Sequence, residues 1–253
     1  TDSGAQKGTL LLLGDIDATQ DHGYLFGSSI HGRLCLSAGE HYVYHSFLAP
    51  PGNSSVNLTA DICETNGMST LSASRIGLSL SGSNTFTGPL NLYSALVVAE
   101  STNAFGSPAQ GVNADRASSL ILNLPYPGRS GVSDETLTTV DSGSGTFRFG
   151  HTNDFYGGFP VTNFWSGPIK LFAEMQVVGA TNVTLDLRGP IDTMSGTGES
   201  LYGAMKGALW LTGTNNNTLT YLMLTDGQLH LAKAPGVRGV GLELYAYDYA
   251  GSV

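Results

Sequence analysis

The chain has little charge, and little of it is positive. Aspartate, glutamate, lysine and arginine make up only 12% of the 253 residues, and 11 basic against 20 acidic residues give a net charge of −9. Nucleic-acid binding needs many lysines and arginines to neutralise phosphates, and attraction to anionic membrane surfaces needs them too. The composition therefore argues against both kinds of partner.

Long apolar runs are also missing. No stretch reaches the ~18 consecutive apolar residues expected of a transmembrane helix. No basic segment followed by an apolar one opens the chain, so we expect any signal peptide to have been removed or to lie outside this sequence. The sequence predicts a protein that does not span a membrane.

Cysteine is scarce. The chain contains only Cys35 and Cys63. In an exported protein they form a natural disulfide pair, which a coiled chain would place on neighbouring turns. Two buried free thiols are the alternative.

Motifs that mark common active sites are absent. The sequence contains no Gly-x-Ser-x-Gly elbow, phosphate-binding loop, dinucleotide fingerprint or zinc-type cysteine pairing. His41 and His45 share a strand face but are too far apart for easy chelation. Asp15, Asp17 and Asp21 offer oxygens for calcium but lack the glycine and closing glutamate of an EF-hand. We predict no catalytic residue, no cofactor and no metal.

Glycine and short apolar runs are abundant. There are 34 glycines, and apolar residues make up 41% of the chain, which is too many for a disordered protein. Apolar residues recur in runs at 78–80, 90–92 and 96–98, separated by corner residues such as Gly82, Asn84 and Pro89. Strands of three or four residues joined by such corners favour a chain that coils into successive turns.

The chain also shows an internal duplication. Gly82 corresponds to Gly213 and Ile62 to Ile191, and all the matched landmarks share nearly the same offset, close to half the length of the chain. The same alignment pairs Asn84 with Asn215 as corner asparagines that bond nearby backbone. A long period of small strand units is typical of a repeat array. We predict an all-β, right-handed parallel β-helix with stacked units at 1–128 and 129–253; a pair of β-sandwich domains is the alternative.

Residues 78–111 carry the segments S-G-S-N-T-F-T-G, L-V-V-A and N-A-F-G. This pattern resembles the autotransporter-associated β-strand repeat of bacterial surface and secreted proteins. The resemblance extends more loosely to 208–241, where Asn217-Thr218-Leu219 replaces the Thr-aromatic-Thr-Gly segment. It implies an extracellular or cell-surface bacterial protein. Because no C-terminal membrane barrel follows, we expect a passenger-like fragment, a processed product or a secreted protein that uses the same repeat.

Aromatic residues are concentrated in 155–165 and near the C-terminus. Exposed aromatic rings stack on sugars or anchor a protein partner, whereas buried ones would cap or fill the coil. The three C-terminal tyrosines alternate, which suits a terminal strand that pairs with a neighbouring subunit. The candidate recognition surface consists of Phe155, Tyr156, Phe159, Phe164, Trp165, Tyr245, Tyr247 and Tyr249.

One group of charged residues could support catalysis. Asp186 and Arg188 share a strand face with Asp192 close by, as in β-helix enzymes that act on polysaccharides; a solvated ion pair is the alternative. Acids and bases are few, so the main hypothesis is a non-enzymatic extracellular structural or adhesive protein: a scaffold, an adhesin or a self-assembling subunit. Its partners would be further copies of itself, or surface carbohydrate or protein. A polysaccharide lyase or hydrolase, or a carbohydrate-binding module, is the alternative.

Overall fold

A computed structural model of the chain describes residues 8–18, 28–46, 55–107, 109–124, 129–132, 134–151, 160–193, 200–219, 221–240 and 243–246. These residues form β-strands, turns and loops without a helix, and none of them belongs to a helix long and apolar enough for a membrane span. Every strand pairing is parallel. The chain makes about eight turns of a right-handed parallel β-helix. The predicted fold is confirmed, and the β-sandwich alternative is wrong.

Most strands have two to six residues, and β22 and β23 have 11 each. In chain order they are β1 (Thr9–Leu12), β2 (Ile16–Asp17), β3 (Ser28–Ile30), β4 (Arg33–Leu36), β5 (Gly39–Tyr44), β6 (Ser55–Leu58), β7 (Asp61–Glu64), β8 (Ser69–Ser74), β9 (Gly77–Leu80), β10 (Leu90–Tyr93), β11 (Leu96–Ala99), β12 (Val112–Asp115), β13 (Ser119–Leu122), β14 (Arg129–Val132), β15 (Leu137–Val140), β16 (Phe147–His151), β17 (Val161–Trp165), β18 (Ile169–Leu171), β19 (Met175–Gly179), β20 (Val183–Leu187), β21 (Ile191–Thr193), β22 (Leu201–Leu211), β23 (Tyr221–Leu231) and β24 (Glu243–Ala246).

Each turn of the coil visits three sheet faces in the same order. The first face contains β1, β4 and β7, and later β14, β17 and β20. The second face is the ladder β2-β5-β8-β10-β12-β15-β18-β21, and the third is the ladder β3-β6-β9-β11-β13-β16-β19. The long strands β22 and β23 run from the third face into the first. Residues 201–205 of β22 pair with β19, and residues 208–211 pair with β20.

The core is a stack of apolar side chains inside the coil. Alternate residues of each strand point inward, and register partners in successive turns place these residues directly above one another. On the second face, six such residues form one fully buried column. The number of residues between successive members varies, yet the strands still pair in a continuous ladder. The members of the column are Leu71, Leu90, Val112, Leu137, Ile169 and Ile191.

A disulfide links two early turns. Cys35 in β4 and Cys63 in β7 are register partners, their Cα atoms are 4.5 Å apart, and their sulfurs are bonded. This distance is close to the spacing of neighbouring strands, so the parallel register itself brings the cysteines together. The predicted disulfide is confirmed. Such bonds persist in oxidising compartments.

Two asparagines hold corners of the coil in the same way. The side-chain oxygen of Asn84 accepts a hydrogen bond from the backbone N–H of Ile62 (3.0 Å), and its amide donates to the carbonyl of Ala104 (2.6 Å). Asn217 accepts from the N–H of Ile191 at 3.0 Å and donates to a carbonyl of the following turn at 2.8 Å. Both asparagines are buried, so each satisfies backbone groups of the turns on either side.

Asn217 is therefore the residue equivalent to Asn84, and the predicted pairing of Asn84 with Asn215 is wrong. Asn215 is exposed in the corner. The glycines before the two corners do correspond: a Cβ would lie 1.9 Å from a carbonyl oxygen at Gly82 and 2.0 Å at Gly213. The equivalent triplets each end in a fully buried apolar residue, and they are Asn84-Thr85-Phe86 and Asn217-Thr218-Leu219.

The two copies of this motif stand at different corners. The first connects β9 on the third face to the first face, where Thr85 donates its N–H to the carbonyl of Ile62 in β7. The second leads from the end of β22 on the first face to the second face, where Thr218 donates to Ile191 in β21. A motif of strand, glycine and asparagine thus builds a corner wherever it falls around the coil.

Candidate functional site

A column of aromatic and charged side chains lies on the late turns of the first face. Four register partners on adjacent strands form a column there, which we call the outer ridge: Phe164, Asp186, Trp210 and His230. Strand alternation turns their chain neighbours inward, and these neighbours include the buried Leu185, Leu187, Leu209 and Leu211. Core packing therefore fixes the strands that carry Asp186 and Trp210, whereas Leu231 beside His230 is 49% exposed.

Asp186 organises the lower part of the ridge. Its side chain is 2% exposed. One oxygen accepts from Nε of Arg188 (2.8 Å) and the other from the hydroxyl of Thr212 (2.6 Å). The predicted association of Asp186 with Arg188 is confirmed, but the ion pair is not a solvated one on the Asp186 side. Because it is buried and bonded through both oxygens, Asp186 positions its neighbours instead of meeting a ligand.

Arg188 is held in a defined plane. Its guanidinium carbon lies 3.8 Å from the centre of the Phe164 ring, a cation–π distance. That ring covers Gly131 of the preceding strand, where a Cβ would lie 2.2 Å from the ring. The Arg188 side chain remains 31% exposed. Its Nε is bound to Asp186, and its terminal nitrogens have no hydrogen bond to any described residue.

Trp210 and His230 form the upper part of the ridge. Their ring centres are 5.2 Å apart and their planes are inclined by 45°. Trp210 is half-buried and His230 is exposed, and a His230 ring nitrogen lies 3.3 Å from the side-chain oxygen of Gln228. The pair offers an aromatic surface on two neighbouring strands.

Lys233 adds a second cation beside the ridge. Its Nζ is buried and has no hydrogen-bond partner among the described residues. Burial lowers the pKa of Lys233, and the negative charge of Asp186 opposes that shift. The Lys233 amine thus interacts electrostatically with the Asp186 carboxylate but does not form a hydrogen bond with it.

An open groove of about 680 Å³ runs beside the ridge. Thr184, Ala208 and Gln228 line it, and each precedes a ridge residue by two positions on its strand, so both sets point outward from the same sheet. Lys206 and Asp226 stand at the corner and contribute opposite charges. The ridge and the groove form one continuous outer surface.

The predicted recognition surface is only partly found here. Phe164 lies on the ridge, but Trp165 is fully buried and packs against Phe149 with ring centres 5.4 Å apart. Its assignment to a recognition surface is wrong, because strand alternation turns it into the core. Tyr245 belongs to β24 and pairs with Met223. The other predicted residues lie outside the described part of the chain: Phe155, Tyr156, Phe159, Tyr247 and Tyr249.

Asp192 does not join the Asp186 group. It lies in β21 on the second face, where it accepts a hydrogen bond from the hydroxyl of Thr218 (3.3 Å). The corner at 188–190 turns the chain between the two aspartates. The prediction that Asp192 lies close to Asp186 and Arg188 is therefore wrong.

Sequence reasoning missed Trp210, His230, Thr212 and Lys233 as site residues. A signal was present for the first two, since Leu-Trp-Leu at 209–211 and Leu-His-Leu at 229–231 place one polar or aromatic residue outward between two apolar ones. Their proximity to Asp186 depends on strand register, which those patterns do not contain.

The aspartates and histidines considered above as metal ligands do not form a metal site among the described residues. Asp15 accepts a hydrogen bond from the N–H of Tyr42 (2.9 Å), and His41 is buried with a ring nitrogen 2.8 Å from the carbonyl of Gly14. Asp21 lies outside the described part. Within that part, no three histidine, cysteine or acidic side chains are grouped to hold a metal.

Comparisons with protein-family models, with curated proteins and with solved structures find no match for this chain. The fold alone defines its class, a right-handed parallel β-helix. What the protein does must therefore be inferred from its outer surface, of which the ridge and groove are the most distinctive part.

Proposed function

We propose that this chain is an extracellular, non-enzymatic adhesive β-helix that binds carbohydrate along the outer ridge. The observation that carries the proposal is the Trp210–His230 pair, two rings 5.2 Å apart beside an open groove. Aromatic faces supply large contact areas and stack on the apolar faces of sugars. Here they are held on strands, which position a binding surface more rigidly than loops do.

Three observations support an extracellular location. The Cys35–Cys63 disulfide belongs to an oxidising compartment. The composition, with 12% charged residues and 34 glycines, is typical of extracellular β-proteins. The autotransporter-associated repeat, which residues 78–111 resemble, occurs in bacterial surface and secreted proteins.

The state of Asp186 supports a binding role over a catalytic one. General acid–base catalysis requires a carboxyl within hydrogen-bond reach of the substrate, whereas Asp186 is 1% exposed and bonded to Arg188 and Thr212. Glycoside hydrolysis commonly uses two facing carboxylates. Asp192, the nearest acid along the chain, stands on another face.

The proposal is tested with a glycan array followed by calorimetry on the best ligand. We expect Trp210→Ala to weaken binding about tenfold or more, equivalent to about 1.4 kcal/mol, because it removes the stacking surface. The matched control is Tyr93→Ala, which removes a 41% exposed aromatic from the second face and should leave affinity unchanged. Equal losses in both variants, or binding by neither variant nor wild type, would contradict the proposal. Shortened glycans after incubation would overturn its non-enzymatic part.

A second copy of the chain is a further proposed partner. Strands β1, β2 and β3 each pair on one side only within the described residues. Leu10, Leu11 and Leu13 are 53%, 50% and 75% exposed at this end. Unpaired strand edges with apolar side chains favour association, which here would extend the coil end to end.

A further inference from the structure

We propose that the ligand of the outer ridge is an anionic saccharide, whose carboxylate or sulfate binds the outer edge of the Arg188 guanidinium. This inference rests on the proposed carbohydrate-binding function and specifies the class of sugar. A neutral sugar would use the Trp210–His230 surface alone. The structure places the Arg188 guanidinium, a cation held in a fixed orientation, near that surface.

The guanidinium is preorganised for an anion. Nε is bound to Asp186 and the plane lies against Phe164, so two contacts fix the orientation of the group. The terminal nitrogens remain without a described partner on a side chain that is 31% exposed. A planar fork of donors matches carboxylate and sulfate oxygens in pairs. Little side-chain entropy is left to lose when an anion binds.

The local charge also favours an anion. Two cations, Arg188 and Lys233, stand beside one buried carboxylate, Asp186. In the adjoining groove Lys206 and Asp226 offset each other. The site therefore carries a positive surplus within a chain of net charge −9. At physiological salt, exposed charges act over about 8 Å, so a ligand responds to this surplus more than to the distant acids.

The ridge geometry allows one saccharide to use both features. Trp210 is the register partner of Asp186, and Arg188 follows Asp186 by two residues. Neighbouring strands are about 4.8 Å apart and two residues span about 6.7 Å along a strand. The Trp210 and Arg188 backbones are thus about 8 Å apart. Adjacent rings of one oligosaccharide can stack on the aromatic pair and present an acidic group to the guanidinium.

Isothermal titration calorimetry with three probes tests the inference: trigalacturonic acid, its neutral methyl ester, and a sulfated oligosaccharide of similar length. Wild type should bind at least one charged probe about tenfold or more tightly than the neutral ester. Arg188→Gln should remove this preference by weakening the charged probes more than the ester. Arg188→Lys keeps the charge but not the fork and should retain part of the preference. The carboxylate and sulfate arms identify which anion is recognised, and either result supports the proposal.

The control is Arg33→Gln, an exposed arginine at the other end of the first face, which should leave every affinity unchanged. Circular dichroism and thermal melts confirm that each variant is folded. Equal wild-type affinity for charged and neutral probes, with Trp210→Ala still weakening both, would overturn the anionic inference alone. Saccharide binding that is absent or indifferent to Trp210→Ala would overturn the proposed function as well.

Discussion

At the scale of single residues, Glu135 is a buried carboxyl that the ridge does not use. It lies between β14 and β15, is 4% exposed, and its Oε2 has no hydrogen-bond partner among the described residues. Burial raises the pKa of Glu135 from 4.5 to about 7, and the charge of Asp134 adds to the shift. A folded-state pKa above the unfolded one means that ionisation opposes folding. The contribution of protonated Glu135 to the free energy of unfolding is fully present below about pH 4.5 and is lost as the pH rises through about 7.

We expect Glu135→Gln to flatten the pH dependence of stability between about pH 4.5 and 7 and to stabilise the protein above pH 7. At 1.36 kcal/mol per pKa unit the gain is at most about 3.4 kcal/mol, and less where water reaches the carboxyl. Urea unfolding at pH 4.5, 6 and 8 measures it. Asp134→Asn should give a smaller change of the same sign, because it removes only the second cause of the shift. An unchanged pH profile in Glu135→Gln would disprove this account.

At the scale of elements, the corner asparagines determine how one strand follows the next. Asn217→Ala leaves the buried N–H of Ile191 without its acceptor, so we expect the free energy of unfolding to fall by about 1–3 kcal/mol. Asn84→Ala should cost a similar amount through Ile62. Chemical denaturation measures both. Asn215→Ala is the matched control, since Asn215 is exposed in the same corner and should be neutral; a loss as large as that of Asn217→Ala would contradict the corrected equivalence.

The sequence was informative about elements because alternation and corner chemistry are local. Runs such as Leu90-Asn91-Leu92 predicted short strands of a coil, and the spacing of the two cysteines fitted one turn. Asn215 shows where this local reasoning fails. The second corner has more residues between its glycine and its buried asparagine than the first corner has. A loop tolerates this extra length, whereas the buried asparagine must still reach the backbone N–H of the strand in the preceding turn. Aligning the two corners on Gly82 and Gly213 therefore selects Asn215 instead of Asn217.

The ridge was less predictable for a related reason. Alternation separates Phe164 from Trp165 into opposite faces but does not say which face is the interior, so both were assigned to one surface. Trp210 and His230 lie on successive turns and meet only because β22 and β23 pair in one particular register. Register depends on the lengths of all the intervening corners, and these vary freely in this coil.

At the scale of the whole molecule, the β-helix places the disulfide, the outer ridge and the edges of β1 to β3 at different positions along one axis. Each turn contacts only its neighbours, so the disulfide between β4 and β7 stabilises early turns, whereas the ridge depends on β17, β20, β22 and β23. Strands β1 to β3 each pair on one side only among the described residues and lie at the opposite end of the coil from the ridge, whereas β21 and β24 are paired on one side only at the other end. Two copies that associate through their β1–β3 ends would leave the outer ridge of each copy exposed.

This arrangement makes end-to-end association testable without disturbing the ridge. We expect wild type to show concentration-dependent association in sedimentation velocity, more strongly at high salt, because salt screens the repulsion between chains of charge −9. Leu11→Lys combined with Leu13→Lys should shift the protein towards monomer, since charged side chains oppose edge pairing. Phe172→Lys, a 37% exposed position on the side of the coil, is the control and should leave association unchanged. A wild-type protein that stays monomeric at every concentration and salt would rule out this mode of assembly, whereas association with intact saccharide binding would identify the two ends of the coil as independent.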